Sequence, residues 1–380
     1  MNYNTQPKTP LVVNARFLTQ KVTGTQRYAI NISRELKRLQ PETVFLAPPA
    51  IDDPQLAAEL EVKIIGKRSY RIYHKLKLPA NLLWEQINLP LYLARNDKPP
   101  CLLNLINLAP YFYKNNFITI HDLTFKLYPE YFSRAFAALY NFLVPRLARR
   151  ARHIFTDSQH SKSDICKYLN IFPDKVTVVY CAVDMESISD NSQPPYPWPY
   201  ILAVGALEPR KNIPRLIAAF NKLPDNNDLR LVIVGKSDLK VFSKTSVSEK
   251  VQCKHTDKKI PRIIFTGYLE DHKLAILYKH AICFCYPSLY EGFGLPPLEA
   301  QTQGCPVIVS DRASLPEVFG DSVLYCNPED INEIKQNLQT VLNDNNLRQF
   351  LIDSGLKNVK RFRWAASALI ITKAIVGELQ

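Results

Sequence analysis

Residues 290–300 read Y-E-G-F-G-L-P-P-L-E-A and follow an apolar, strand-like run at 281–287, A-I-C-F-C-Y-P. The two glycines give the backbone freedom that a tight turn needs. Pro296 or Pro297 suits the first turn of a helix, where the missing proline N–H costs nothing. The stretch therefore predicts a strand that leads through a glycine-rich turn into a helix.

Two carboxylates lie on either side of this predicted turn. Glu291 precedes the opening of the helix, and Glu299 falls within its first turns. Backbone N–H groups near Phe293, Gly294 and Leu295 would point into a crevice where the helix dipole favours an anion. Hydroxyls donating to the carboxylates and a phosphate accepting from the N–H groups would fit a nucleotide sugar. The alternative is a pair of surface glutamates, because helix first turns attract Glu for dipole reasons alone.

Short apolar runs alternate with helical patterns along the whole chain, which predicts parallel sheets covered by helices. Residues 25–39 show the helical spacing, with apolar side chains recurring every 3.6 residues. Strands are predicted at residues 11–17, 44–48, 62–66, 101–105, 117–122, 153–158, 176–180, 200–205, 229–235, 262–267, 281–287, 306–311 and 322–326.

A proline-rich segment divides this alternation into two series. It reads S-D-N-S-Q-P-P-Y-P-W-P at 189–199 and predicts a linker. The predicted α/β organisation is a pair of doubly wound Rossmann-like domains, with ligands expected outside the carboxyl ends of the strands, in a cleft between the domains. The predicted boundaries are an N-terminal domain at 1–190, a linker at 191–199, a C-terminal domain at 200–362 and a final helical segment at 363–380.

Bulk composition limits the classes of partner. The 380 residues include 48 Lys and Arg against 35 Asp and Glu, and this net charge of +13 favours anionic partners. Eight cysteines are scattered without zinc spacing, and Cys283 and Cys285 fall in a predicted strand buried on both faces, so core thiols in a reducing compartment are expected. Neither a signal peptide nor a run of about 20 apolar residues is found, which predicts a soluble or peripheral protein.

The order E-G-F-G-L-P-P-L-E resembles the donor-binding E-x7-E motif of retaining glycosyltransferases with the GT-B fold, in particular glycosyltransferase family 4. The resemblance implies that Glu291 holds hydroxyls of the transferred sugar and that Glu299 binds the ribose of the nucleotide. It also implies the GT-B arrangement, in which the last helix returns to the N-terminal domain.

The segment 205–212, G-A-L-E-P-R-K-N, resembles the family sequence whose Arg and Lys clamp the donor diphosphate. This assigns Arg210 and Lys211 to the phosphates, where they would also stabilise the leaving group, and places Gly205 at the same site. Cations at a helix N-terminus oppose the dipole unless an anion is also present. Glu208 offers another interpretation, since it can neutralise one of the two cations.

Two segments of the first half resemble family motifs as well. T-G-T-Q-R-Y at 23–28 resembles the loop that faces the donor diphosphate, so Gly24 is assigned to close approach of a phosphate, with Thr25 as the expected N-cap. I-H-D-L-T-F at 120–125 resembles the family segment whose His lies near the reacting sugar. This assigns His121 to the catalytic site, although a His at a strand end is also commonly structural.

Basic runs at 131–152 and 67–77 are open to two interpretations. Either can rest on anionic lipid, and residues 67–77 can instead meet an anionic acceptor. The first is equally an ordinary buried helix with a cationic last turn.

Taken together, these motifs identify the chain as a member of the mannosyltransferase-like retaining transferases of family 4. The expected reaction moves a sugar from a nucleotide-sugar donor to a glycan or lipid-linked acceptor in polysaccharide biosynthesis, without cofactor or metal, in the cytoplasm. The departing phosphate would help to deprotonate the acceptor. GDP-mannose is the first expected donor and a UDP- or dTDP-sugar the second, and no nucleic acid partner is expected. The alternatives are a GT-B nucleotide-sugar epimerase or phosphorylase, or a non-catalytic protein that binds sugar or nucleic acid.

Overall fold

The computed structural model describes residues 11–184, 188–189, 192–205, 208–224, 228–235 and 262–378. Cys253 and residues 190–191, near the start of the predicted linker, lie outside this part of the chain. The chain divides into two compact α/β units. The first comprises Met1–Leu123, Ala138–Cys181 and Arg363–Gln380, and the second comprises Thr124–Ala137 and Ala182–Phe362.

The first unit is built on a parallel sheet whose order is β3-β2-β1-β4-β5-β6-β7. The order reverses between β1 and β4, which is the switch point of a doubly wound sheet. Its strands are β1 (Leu11–Asn14), β2 (Val44–Ala47), β3 (Lys63–Ile64), β4 (Cys101–Asn104), β5 (Asn116–Thr119), β6 (His153–Thr156) and β7 (Val176–Val178).

The second unit repeats this design with the order β10-β9-β8-β11-β12-β13, again parallel throughout. Its switch point lies between β8 and β11. The strands are β8 (Tyr200–Val204), β9 (Arg230–Val234), β10 (Ile263–Gly267), β11 (Cys283–Tyr286), β12 (Val307–Ser310) and β13 (Leu324–Cys326).

Helices connect the strands and cover the sheets, as the alternating pattern predicts. They are α1 (Gly24–Leu39), α2 (Pro54–Glu59), α3 (Lys67–Lys75), α4 (Ala80–Leu83), α5 (Leu89–Leu93), α6 (Thr124–Leu127), α7 (Arg134–Arg150), α8 (Gln159–Leu169), α9 (Ile213–Asn221), α10 (Asp271–His280), α11 (Leu295–Thr302), α12 (Leu315–Phe319), α13 (Ile331–Asn343), α14 (Asn345–Val359) and α15 (Trp364–Gly377).

The first strand is shorter than predicted. The strand expected at 11–17 ends at Asn14, and Ala15–Thr19 form a 3-10 helix. The Asn14 side chain accepts a hydrogen bond from the backbone N–H of Arg16 at 3.2 Å. A short polar side chain that bonds nearby backbone in this way competes with the strand ladder and favours a turn.

The start of α1 also differs from the prediction. Thr23, not Thr25, is the N-cap, and Gly24 is the first helical residue. The side chain of Gln26 accepts from the backbone N–H of Thr23 at 3.2 Å, which satisfies a donor at the helix entry. The capping interaction therefore places the N-cap two residues before Thr25 and the first helical residue at Gly24.

Residues of the central strands in the parallel sheets are buried on both faces, and helices pack against one another within each unit. Cys283, Phe284 and Cys285 are completely buried, which confirms a strand covered on both faces by core residues. In the first unit, α15 packs against α1, where the rings of Trp364 and Tyr28 lie 5.9 Å apart. None of the described helices has the length and apolar character that a membrane crossing requires.

Candidate functional site

The turn after β11 has the form that the sequence predicts. Gly294 is the N-cap of α11, with φ of +106°, a conformation that side chains with a Cβ rarely adopt. A Cβ at this position would also lie 2.7 Å from Leu315 Cδ2. Ser314 Oγ donates to the carbonyl of Glu291 at 2.9 Å and holds the preceding loop. Both the conformation and the available space therefore require glycine here.

Glu291 is the centre of a buried polar cluster at the carboxyl end of β11. Its Oε2 accepts from Arg210 Nη1 at 2.7 Å, and its Oε1 accepts from Lys211 Nζ at 2.8 Å. Oε1 also accepts from the hydroxyls of Tyr286 at 2.9 Å and Ser288 at 2.6 Å. The structure thus brings Glu291 together with Arg210 and Lys211, which lie about 80 positions earlier in the chain. The sequence assigns all three residues to one site.

The cluster keeps Glu291 ionised. Burial acts to raise the pKa of Glu291, but the charges of Arg210 and Lys211 and the hydrogen bonds from Lys211 and Ser288 outweigh it. The pKa falls from 4.5 to about 2. A carboxylate that accepts several charge-assisted hydrogen bonds is expected to behave in this way.

Lys211 is buried beside Glu291, and its pKa is lowered by burial first and by the charge of Arg210 second, against the opposing effect of Glu291. The Lys211 ammonium also contacts the Tyr286 hydroxyl and lies 4.7 Å from the centre of that ring. Gly205, with φ of +148°, makes room for this side chain, because a Cβ there would lie 3.1 Å from Lys211 Cγ.

Arg210 joins the cluster to a second carboxylate. Its Nε donates to Glu208 Oε2 at 2.7 Å while Nη1 donates to Glu291. The alternative interpretation of the sequence, in which Glu208 neutralises a cation, is therefore confirmed. Arg210 thus pairs with Glu208 and with Glu291 at the same time. The side chain of Arg210 retains 22% exposure, so it is accessible to an anion.

The other predicted residues of the second unit lie around the start of α11. Glu299 is buried and its Oε2 accepts from the Tyr278 hydroxyl at 3.2 Å. Phe293 is buried with its ring edge against Phe362, and the half-buried Leu295 is the first residue of the helix. The roles assigned to these residues remain predictions, as does the contact of Glu291 with sugar hydroxyls.

The first unit holds the remaining two predicted residues. Gly24 begins α1, and His121 follows β5 with little exposed surface. His121 Nδ1 lies 2.8 Å from Asp157 Oδ2, and Nε2 lies 3.1 Å from the carbonyl oxygen of Leu105. Burial lowers the pKa of His121, but Asp157, the hydrogen bond to Leu105 and the charge of Asp122 together raise it above 6.5.

Asp157→Asn is expected to lower the pKa of His121, because burial is then opposed only by Leu105 and Asp122. In the parent, the raised pKa means that the pair stabilises the fold fully below pH 6.5, and that this contribution is lost as pH rises through the raised value. NMR titration of the imidazole protons measures the shift, and the exposed Asp174→Asn serves as the control. An unchanged titration in Asp157→Asn would contradict the role assigned to Asp157.

Several contributors were missed at the sequence level. Tyr286 and Ser288 donate the remaining hydrogen bonds to Glu291 described above. Asn212, with φ of +58°, donates to the carbonyls of Pro287 at 3.0 Å and Pro328 at 2.6 Å. Polar residues at the end of an apolar strand were the available signal for Tyr286 and Ser288. Among the described residues, no group of three or more His, Cys, Asp or Glu side chains could hold a metal ion.

Comparison with solved structures identifies the class of fold. HepE from Anabaena, in complex with UDP-glucose, aligns over 97% of this chain and 100% of its own, with a TM-score of 0.70 and 15% identity. Together with the two parallel sheets, this similarity confirms the GT-B class that the sequence predicts.

Sequence comparison identifies the family. A model described as Glycosyltransferase Family 4 matches residues 22–187, and one described as Glycosyl transferases group 1 matches residues 184–358. The O-antigen chain mannosyltransferase B of Escherichia coli is 31% identical over 65% of this chain and 66% of its own length. The O-antigen chain mannosyltransferase RfbU of Salmonella typhimurium is 34% identical over 57% and 58%, respectively. The chain belongs to the family 4, group 1 glycosyltransferases.

Proposed function

We propose that this protein transfers a mannosyl group from a nucleotide sugar to a glycan or lipid-linked acceptor in polysaccharide biosynthesis, with retention of configuration. The observation that carries the proposal is the buried cluster of Glu291, Arg210 and Lys211 beside the start of α11. The two O-antigen mannosyltransferases to which the chain is similar support the choice of mannose. The first donor proposed is GDP-mannose, followed by a UDP- or dTDP-sugar.

In this proposal the two cations meet the donor diphosphate, and Glu291 acts on the transferred sugar and orients the cations. A bound diphosphate would accept charge-assisted hydrogen bonds from Arg210 and Lys211, in a cluster that carries two cations and two carboxylates, Glu208 and Glu291. The backbone N–H groups at Phe293–Leu295, at the N-terminus of α11, would donate hydrogen bonds to the same anion. Glu299 accepts from the ribose.

The same cations offer the charge stabilisation that a metal ion supplies in other transferases, so we propose turnover without a bound metal or cofactor. As the bond from the sugar to phosphate breaks, the departing phosphate oxygen takes the proton of the acceptor hydroxyl, which forms the new glycosidic bond. Gly24 and His121 retain their predicted roles toward phosphate and sugar. We further propose a cytoplasmic location with peripheral contact to a membrane, and no nucleic acid partner.

The direct test follows nucleotide release from a panel of GDP-, UDP- and dTDP-sugars, with and without acceptor glycans and with EDTA. Release from GDP-mannose that requires an acceptor and survives EDTA is expected. Abolition by EDTA would contradict the metal-independent mechanism. Isomerised donor without release would indicate an epimerase, and salt-dependent binding of nucleic acid without any release would indicate a binding protein.

Two variants test the assignment of the site. Lys211→Ala is expected to lower kcat by about 10²–10³-fold, because it removes a charge that acts on the leaving group. Glu299→Ala is expected to raise the KM for the donor by about 10–100-fold, because a charge-assisted hydrogen bond to the ribose is lost in ground and transition states alike. The exposed Lys222→Ala is the control. If both variants match the parent for every donor, the site assignment is wrong.

A further inference from the structure

The first unit contains a cavity of about 460 Å³, and none of the residues assigned above to the donor lines it. Arg16, which follows β1, lies in its wall together with residues of α3, α4 and α7. β1 and β4 are the neighbours at which the order of the first sheet reverses. Doubly wound sheets bind ligands outside the carboxyl ends at this point, in cavities of about 300–1,000 Å³.

Arg16 supplies the cavity with a buried cation. Its side chain is only 8% exposed, and Nε donates to Glu85 Oε1 at 2.8 Å. Glu85 is fully buried and also accepts from Asn14 Nδ2 at 2.8 Å, so the guanidinium is held in one orientation. Within the described ranges, neither terminal amino group of Arg16 donates a hydrogen bond. A fixed guanidinium with unused donors is suited to bidentate binding of a phosphate or carboxylate.

The segment beside Arg16 adds positive charge. Residues 67–84 contain five Lys and Arg residues and no Asp or Glu, and all five are exposed. Two further cavity residues, Tyr70 and His74, belong to α3 within this segment. One-signed charge around a partly enclosed cavity raises the local concentration of anions. The Arg16–Glu85 pair is neutral as a unit, so these cations provide the excess that favours an anionic ligand.

The rest of the lining is apolar. Leu78, Leu82, Leu108 and Leu139 all contribute to the wall. Leu78 and Leu139 remain 44% and 36% exposed, so apolar surface continues outward from the cavity. Single exposed leucines need no explanation, but four leucines beside one buried arginine form a combined apolar and cationic surface. A ligand that matches it carries an anionic group next to hydrocarbon.

We propose that this cavity binds the phosphate- or diphosphate-bearing end of an amphiphilic acceptor, with the anion on Arg16 and the adjoining hydrocarbon against the leucines. This identification of the ligand as the acceptor rests on the proposed transferase function. It narrows the substrate class from glycans in general to glycans carried on a lipid phosphate. A free sugar acceptor would leave the terminal amino groups of Arg16 and the apolar wall without a ligand.

Calorimetric titration with geranyl diphosphate tests the proposal. Parallel titrations with inorganic diphosphate and with geraniol measure the binding of the anionic fragment and of the hydrocarbon fragment alone. Saturating GDP or UDP is present throughout to occupy the donor site. Geranyl diphosphate is expected to bind at least about 10-fold more tightly than either fragment, because only it engages both surfaces. Equal affinity for inorganic diphosphate, or for geraniol, would overturn the proposal.

Arg16→Gln is expected to weaken geranyl diphosphate binding by about 10-fold or more, since it removes the charge and the fork of donors. The matched control is Arg34→Gln, which removes an arginine of the same unit that is paired with Glu59 at 2.7 Å on the surface. Leu139→Trp is the second variant: it fills the cavity without altering the Arg16–Glu85 pair, so it weakens binding even if Arg16→Gln fails to fold. Unchanged binding in a folded Arg16→Gln or in Leu139→Trp overturns the proposal.

Nucleotide release by the parent protein from the panel of nucleotide sugars, with acceptor glycans present both free and carried on a lipid diphosphate, tests the proposed function separately. If no donor is turned over but geranyl diphosphate binds through Arg16, the transferase function fails and the amphiphile site stands. If donors are turned over and geranyl diphosphate does not bind, the transferase function stands and the proposed amphiphile site fails.

Discussion

Glu291→Gln is expected to reduce nucleotide release by about 10³-fold and to lower the free energy of unfolding by about 3–5 kcal/mol. The substitution keeps the shape of the side chain but removes the negative charge that Arg210 and Lys211 share at 2.7 and 2.8 Å. Lys211 is then a buried ammonium without its closest counter-charge, which is the situation that makes breaking a buried ion pair costly. Equilibrium unfolding in urea and donor turnover measure the two effects.

The pH dependence of this loss has a definite sign. Because the pKa of Glu291 is depressed from 4.5 to about 2, its stabilising contribution is present above 4.5 and is lost as pH falls through about 2. The difference in stability between the parent and Glu291→Gln should therefore shrink in strong acid. A difference that stays constant between pH 7 and pH 2 would show that the charge of Glu291 is not its source.

Glu270→Gln is the matched control for this experiment. Glu270 is exposed and lies 3.9 Å from Lys273, a surface pair of the kind that contributes little to stability. Its replacement should leave both unfolding and turnover near the parental values. Parental turnover in Glu291→Gln would remove the observation on which the proposed function rests.

The order of elements was predictable because each strand is a short apolar run between turn signals, and every predicted strand in the described chain is present. The ends were less predictable. β1 stops at Asn14 because one side chain bonds to local backbone, and α1 begins at Gly24 because Gln26 caps Thr23. Such effects depend on side-chain geometry that an apolar pattern does not contain.

The sequence assigns Glu291, Arg210 and Lys211 to one candidate site, but the contacts between these residues were not predictable from it. The sequence assigns Glu291 to sugar and Arg210 and Lys211 to phosphate as separate tasks, whereas the structure pairs them directly. Their convergence depends on β8 and β11 being neighbours in the sheet, which is a tertiary property. The same holds for His121 and Asp157: both follow neighbouring strands, β5 and β6, so their proximity was available only once the strand order was known.

The ion pair of Arg16 with Glu85 in the first unit was likewise not predictable from the sequence. Arg16 lies within a run predicted as strand, and Glu85 is 69 positions away in a segment with no motif. Nothing in either local sequence indicates an ion pair, because the pairing arises where a chain reversal after β1 meets the helical segment around Trp84–Asn88. The residues that define the amphiphile site are therefore visible only in the folded chain.

Gly294→Ala is expected to lower the free energy of unfolding by about 3 kcal/mol or more and to weaken donor binding at least 10-fold. Two costs combine at this position. The φ of +106° lies outside the conformations that alanine adopts readily, and the new Cβ would lie 2.7 Å from Leu315 Cδ2 and 3.1 Å from Phe319 Cε2. Leu315 and Phe319 are buried, so the new Cβ must displace their packed side chains or α11 itself, and movement of α11 displaces the backbone N–H groups proposed to meet the donor phosphate.

Gly304→Ala separates these two costs. Its φ is also positive, at +69°, but the nearest neighbour of a Cβ is Ile352 Cγ2 at 3.6 Å, an ordinary contact. This variant should therefore pay only the backbone strain, about 1 kcal/mol, and retain donor binding. Urea unfolding and titration of the nucleotide into both variants give the comparison. If Gly294→Ala and Gly304→Ala lose the same stability, the close packing of α11 against α12 does not fix the turn, and the geometry proposed for the anion site loses its physical basis.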